Sequence, residues 1–287
     1  MPAEPIVDIH QHTTYLGRSN EALLHHQKRM GVTQTLLLPG GTPVITTSTL
    51  KGKANGLYAG AGTVDTCIPI VEANPGAYYF AANEVPDLPE AKDRLTKQLE
   101  QGAICIGEQK FNVPVESPEM EMVYALAQEF AVPVLLHFQH ETFNTGYERF
   151  GQVLAKWPKV NFIGHAQTFW ANIDSKHENQ QKVLYPKGKV TPGGWTDRYL
   201  KNYPNFFGDL SAGSGLNAFI RDEDHARGFI ERHQDKLLYG SDCPDNLGHG
   251  PTCTGSSMIS AVRRLSPNKA VERKLLYDNA KKLFKLQ

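Results

Sequence analysis

Ile6-Val7-Asp8-Ile9-His10-Gln11-His12 opens with an apolar run suited to a buried strand and closes on two imidazoles two positions apart. Side chains alternate along a strand, so His10 and His12 share a face and can close on one ion. A His-x-His pair at the end of a buried strand is a ready pair of metal ligands. What gives the pair weight is the rest of the chain, where four later strand-like runs also end in a metal-capable side chain.

Working outward, apolar runs at 33–39, 78–85, 104–111, 132–139, 160–167, 206–211 and 237–242 read as further strands, with helical patterning between them. Ser19 caps a helix that Gly31 stops, and Ser117-Pro118-Glu119 starts another. Leu95 and Leu99 mark the apolar face of a third, closed by Gly102. Strand-like runs and helical regions alternate eight times without a hairpin signal. Parallel strands need helical crossovers, and eight such units close a (β/α)8 TIM barrel, an α/β fold expected as one domain over 1–287. An open doubly wound sheet would show a Gly-rich fingerprint after its first strand, and this chain has none. Long βα loops are expected after strand two (40–62), strand six (168–194) and strand eight.

The bulk numbers fit a globular enzyme. The 287 residues are 40% hydrophobic and 21% charged, and 30 Lys+Arg balance 30 Asp+Glu. Zero net charge argues against a nucleic-acid or anionic-membrane partner, and no apolar run approaches the roughly 18 residues of a membrane span. Met1 to Pro5 leads straight into the first strand, so a cytoplasmic location is the default expectation, with homo-oligomers left open. Four cysteines are too few for a disulfide scaffold. Cys67 and Cys105 read as packing residues. Cys243 and Cys253 flank a Gly/Pro-rich loop with His249, where a local bridge or small metal clip competes with the preferred reading of two plain thiols.

Set side by side, the strand ends carry His10 and His12, then Glu108, His137, His165 and Asp242. In a barrel these ends meet at one mouth, where active sites sit. An unpaired buried carboxylate or imidazole costs several kcal/mol, so the cluster calls for a cation. Taken singly, each has a bland reading: a strand-end histidine as a hydrogen-bonded core residue, Asp242 as a turn cap, Glu108 as partner of Lys110. All of these would have to hold at the same register of separate strands, and the metal site is the simpler reading.

His-x-His on strand one, the histidines ending strands five and six, and Asp242 resemble the amidohydrolase superfamily. Ile-Gly-His-Ala at 163–166, Tyr-Gly-Ser-Asp-Cys-Pro at 239–244 and Tyr-Asp-Asn-Ala-Lys-Lys-Leu-Phe at 277–284 are similar to its amidohydrolase-related branch, amidohydrolase family 2. The resemblance spans nearly the whole chain and implies a metal-dependent barrel, usually with zinc, with manganese or another divalent ion as substitute. It implies His10, His12 and His137 as metal ligands and Asp242 as ligand or proton acceptor. Many binuclear relatives use a carboxylated lysine on strand four; here Glu108 stands in that place, as in the TatD-like relatives. With two ions Glu108 would bridge and His165 would bind the second; with one, His165 is free to polarise substrate.

The activity expected is hydrolysis of an amide, ester or lactone in a small molecule, with metal-activated water and Asp242 as general base and then acid. The first alternative is a non-oxidative decarboxylase of a small carboxylic acid. The second is a non-catalytic metal- or ligand-binding barrel, disfavoured because structural zinc sites are closed and rich in cysteine. Lys110, Gln139, Gln167 and Trp170 are the expected substrate contacts, with Phe169 and Trp170 opening a lid after strand six. His25, His26, His177, His225 and His233 are expected at the surface.

Overall fold

The computed structural model describes residues 4–42, 56–57 and 60–287. The first strand, β1 (Val7–Gln11), pairs in parallel with β2 (Gln34–Leu37), and β2 with β3 (Tyr78–Phe80). A second parallel run joins β4 (Ile106–Gln109), β5 (Val134–His137), β6 (Phe162–His165), β7 (Phe206–Asp209) and β8 (Leu237–Leu238) in chain order. Ala82 pairs with Ile106 across one seam, and Ile9 N donates to Tyr239 O at 3.1 Å across the other. The eight strands therefore close a circle, as a barrel must.

Helices return the chain between strands: α1 (Asn20–Met30), α2 (Val64–Ala73), α3 (Ala91–Glu100), α4 (Pro118–Glu129) and α5 (Phe150–Lys156) serve the first half. Their ends follow the local chemistry. Ser19 Oγ accepts from Ala22 N at 3.1 Å and Gly31 takes φ 80° beyond Met30, which fixes α1 at both ends. The second half carries α6 (Ala166–Ala171), α7 (Trp195–Asn202), α8 (Ala212–Ile220), α9 (Glu223–His233), α10 (Thr254–Leu265), α11 (Lys269–Arg273) and α12 (Asn279–Phe284).

Apolar side chains sort into two layers. Val7, Ile9, Leu36, Cys105, Leu135, Ile163 and Leu238 fill the barrel interior, which Ala280, Phe284 and Leu286 at the C-terminus close from below. Leu37, Phe80, Ile106, Leu136 and Phe162, at alternating positions, face the helices. Strict alternation from Val7 and Ile9 would turn His10 outward, and strict alternation from Cys105 would turn Glu108 outward. The pairing slips by one residue at both places. Asp8 faces Thr35 but Gln11 faces Leu37, and Ile106 faces Val134 but Gln109 faces Leu136. An extra residue in a strand reverses the facing of every side chain beyond it, and so both side chains arrive inside the mouth.

Several expectations are corrected. Residues 166–179 hold α6 and a short 3-10 helix, Ser175–Asn179, where an irregular stretch from 168 was expected. Phe169 and Trp170 are buried in that helix, and Trp170 Nε1 donates to Asp209 O at 2.9 Å. Trp170 is therefore a prop beneath the mouth and not a substrate contact or lid. His26, His177 and His233 are buried, because each finds an inward place on its helix; His233 Nε2 lies 2.6 Å from Asp197 Oδ1. Most of the expected loop after strand two lies outside the described residues. No helix among the described residues is long and apolar enough to cross a membrane.

Candidate metal centre

Strand β1 delivers His10 and His12, both fully buried. Asp8, just before them, accepts from Ser241 N at 2.9 Å and from Gln27 Nε2 at 2.9 Å, tying the strand to the end of strand eight and to α1. Asp242 N in turn donates to His10 O at 2.8 Å, which sets Asp242 beside the pair. Glu108, His137 and His165 complete the ring from β4, β5 and β6, and all three are buried. Asp242, with 12% of its side chain exposed, faces the opening.

The tautomers follow from the partners. His12 Nδ1 lies 2.6 Å from Leu38 O, and a carbonyl only accepts, so Nδ1 carries the proton. His10 Nδ1 lies 2.7 Å from Asp209 Oδ2, and His165 Nδ1 lies 3.2 Å from the same oxygen and 3.0 Å from Ser211 Oγ. With each Nδ1–H held from behind, three Nε2 lone pairs point into one space. His10 Nε2 and His12 Nε2 stand 3.3 Å apart, and 3.4 and 3.3 Å from Glu108 Oε2. Asp242 Oδ1 is 3.5 Å from His12 Nε2, and Asp242 Oδ2 is 3.7 Å from His165 Nε2. His137 reaches Glu108 Oε1 with Nδ1 at 2.5 Å.

Lone pairs facing carboxylates repel one another unless positive charge lies between them. Burial disfavours a charged His10, yet the carboxylates of Asp242, Asp209 and Glu108 outweigh it and hold that imidazole well above its usual range. Burial likewise opposes a charged Glu108, but the neighbouring His10 first, then the contacts with the His10, His12 and His137 rings, keep its carboxyl well below the usual range. For His137, burial and then the Lys110 charge pull the imidazole down to about 4, leaving it neutral. His165 Nε2 and Asp242 Oδ1 are buried without a hydrogen-bond partner. Ligand atoms of His10/His12/Glu108, of Glu108/His137/His165 and of His10/His165/Asp242 each lie within 4.8 Å of one another. Bonds of about 2.0–2.2 Å to nitrogen and oxygen put neighbouring ligands about 3–4 Å apart, which is the spacing here. The donor set fits a divalent cation.

Above the ring is a cup of ≈ 300 Å³ lined by Tyr15, Lys110, Gln167, Tyr185 and Asp242 among others. Lys110 sits with its ammonium 5.7 Å from the Phe143 ring. Gln167 Nε2 is 3.4 Å from Tyr185 Oη. Gln139 Oε1 touches His137 Nε2 at 3.4 Å but opens toward a neighbouring pocket with His140 and Thr168. Three residues of the centre escaped the sequence reading. Asp209 and Ser211 had a usable signal, since Phe-Phe-Gly-Asp ends β7 at the register of the other ligands. Tyr15 had none: it follows the left-handed Thr14 and packs edge-on to His12, with ring centroids 4.8 Å apart. Burial, then the Asp242 carboxylate, push its phenol well up, so it remains a hydroxyl donor.

A closed parallel barrel with a ring of imidazoles and carboxylates at the C-terminal ends of its strands defines a metal-dependent barrel enzyme. The particular family follows from sequence: residues 7–286 match the Amidohydrolase family, and the chain belongs to it. Members of this family usually bind a divalent metal. No curated protein matches the chain. Among solved structures, a probable 2-pyrone-4,6-dicarboxylic acid hydrolase from Acinetobacter baumannii, with citric acid bound, superposes with TM-score 0.61 at 12% identity, over 98% of this chain and 99% of that one. The 5-carboxyvanillate decarboxylase of Sphingomonas paucimobilis gives TM-score 0.58 at 15% identity, over 93% and 83%. That of Novosphingobium aromaticivorans, complexed with manganese and 4-hydroxy-3-methoxy-5-nitrobenzoic acid, gives 0.56 at 15%, over 94% and 80%. Hydrolases and decarboxylases thus share this fold.

Proposed function

We propose that the chain is a metal-dependent hydrolase, one catalytic domain that cleaves an amide, ester or lactone bond in a small carboxylate-bearing molecule. The observation that carries this reading is the sharing of Glu108 between two donor groups, His10 and His12 on one side and His137 and His165 on the other. Two ions held by these groups would suit attack by water on an acyl centre. His165 is then a ligand, because Asp209 and Ser211 occupy its Nδ1 and leave only a lone pair forward. Zinc fits the nitrogen and oxygen donors first and manganese second; bound there, the ion supplies Lewis acidity and lowers the pKa of water.

The side chains supply the rest. Asp242 takes the proton of the attacking water on its unpartnered Oδ1 and returns it to the leaving group. The Tyr15 hydroxyl, edge-on to His12 and beside Asp242, holds that carboxylate in its acceptor geometry. Lys110 at the rim pairs with a substrate carboxylate, and Gln167 and Tyr185 close the other side of the cup. Lactones, esters, amides and aromatic carboxylates, assayed with zinc or manganese in oxygen-labelled water, test the proposal. One labelled oxygen per turnover, in the carboxylate formed, is expected, and Asp242→Asn should lower turnover about 10²–10⁴-fold while the metal stays bound. Carbon dioxide release without label, or an active Asp242→Asn enzyme, overturns it.

A further inference from the structure

Behind the mouth, on the outer face of the barrel, three soft donors meet. His26 comes from α1, Cys243 directly follows Asp242, and Cys253 caps α10, its Sγ accepting from Ser256 N at 3.4 Å. All three are fully buried, and both cysteines are free thiols. Cys243 Sγ and Cys253 Sγ stand 3.7 Å apart, and Cys253 Sγ is 3.4 Å from His26 Nε2. The three ligand atoms lie within 4.8 Å of one another. His249, the histidine inside the intervening loop, is exposed and takes no part.

We propose that His26, Cys243 and Cys253 form a second metal site, a tetrahedral clip for zinc, separate from the centre at the barrel mouth. Two of the three ligand–ligand separations have the lengths expected around a tetrahedral zinc ion. Zinc bonds of about 2.3 Å to sulfur and about 2.0 Å to nitrogen set two sulfurs about 3.8 Å apart and a sulfur and a nitrogen about 3.5 Å apart. Both separations match those observed to within about 0.1 Å. Asp245 Oδ2, 4.0 Å from His26 Nε2, stands at the edge of the group, so the fourth position falls to this carboxylate or to water. Thiolate and imidazole select zinc over the hard cations, and the full burial of all three ligands marks a site that holds structure. On binding, both thiols give their protons to solvent, so the clip carries no net charge before the fourth ligand is counted.

The place of the clip gives it a purpose. Asp242 has φ 42°, a left-handed conformation that a non-glycine residue keeps only when its surroundings hold it. Gln11 Nε2 and Arg18 Nη1 already grip Cys243 O at 2.9 and 2.8 Å. An ion on Cys243 Sγ would fasten the same residue from the other side, binding the segment after Asp242 to α1.

Cobalt titration of the metal-stripped full-length protein tests this, because the mouth contains no sulfur. A thiolate-to-cobalt charge-transfer band in the near ultraviolet is expected, with the amplitude of one thiolate-bound ion per chain and surviving in Asp242→Asn, Cys67→Ser and Cys105→Ser. It should vanish in Cys243→Ser and in Cys253→Ser. Absence of the band from the wild-type protein, whatever cobalt the mouth has taken up, overturns the proposal without recourse to any variant. So does a band that persists in Cys253→Ser, or a Cys243–Cys253 disulfide found by intact mass in protein purified under reducing conditions.

Discussion

Asp209 illustrates how a residue outside the ring can set what the ring does. Its Oδ2 accepts from His10 Nδ1 at 2.7 Å and from Ser211 Oγ at 2.8 Å, and lies 3.2 Å from His165 Nδ1. One carboxylate thus aims two imidazoles and raises the basicity of both. Burial opposes its charge, but His10 and then His165 hold Asp209 far below the usual carboxylate range, so it is ionised at any working pH. Asp209→Asn keeps the shape and removes the charge. With the amide nitrogen at the Oδ2 position both His10 and His165 lose their acceptor; with the oxygen there, the nitrogen meets Ser211 N–H, and in either orientation the charge behind both rings is gone. Metal affinity at the mouth should fall about 10–100-fold, read by competitive chelation. Unchanged affinity would mean that the two rings are held by packing alone.

At the scale of strands and helices, much was legible and the remainder has physical causes. Each strand falls inside an apolar run, and caps such as Ser19 and Ser117 mark helix starts by their side-chain chemistry. Six ring residues sit at strand ends, and that position alone brought them together. Which way they face was not legible for three of them: His10, His12 and Glu108 stand at the outward parity of their strands, and only the one-residue slips against β2 and β5 turn them in. A slip belongs to a pair of strands and leaves no mark in either one. Trp170 was misplaced because a large aromatic after a ligand strand looks the same whether it opens a lid or fills a core. Gly240 records a related constraint, since a Cβ there would lie 2.6 Å from Asp209 Oδ1, 2.9 Å from His10 Cβ and 3.1 Å from Ser211 Cβ. These neighbours are rigid, so Gly240→Ala must displace His10 or Asp209. Overpacking of this kind costs about 1–3 kcal/mol. A lower melting temperature with weakened metal binding is expected; a variant matching the wild type in both would show that the strand-eight end yields.

Across the whole molecule, polarity is divided along the barrel axis. The chain has no net charge, yet Glu108, Asp209 and Asp242 crowd one end, while Phe284 and Leu286 seal the other with hydrocarbon. The closed strand circle and its two apolar layers do not depend on the ion; the crowded end does. Removing the cation therefore should leave secondary structure intact and lower stability. A ligand at a hundred times its dissociation constant stabilises the native state by about 2.7 kcal/mol. For a chain of this size that is a melting shift of roughly 4–5 °C. The comparison belongs in a Cys253→Ser background, where only the mouth donors can respond, with zinc-loaded and chelated protein scanned at equal concentration. Circular dichroism of the two forms should superpose at room temperature while their melting curves separate. Coincident melting curves would mean that no ion binds the folded mouth, and collapse of the chelated form would mean that the ion, not the apolar interior, holds the barrel closed.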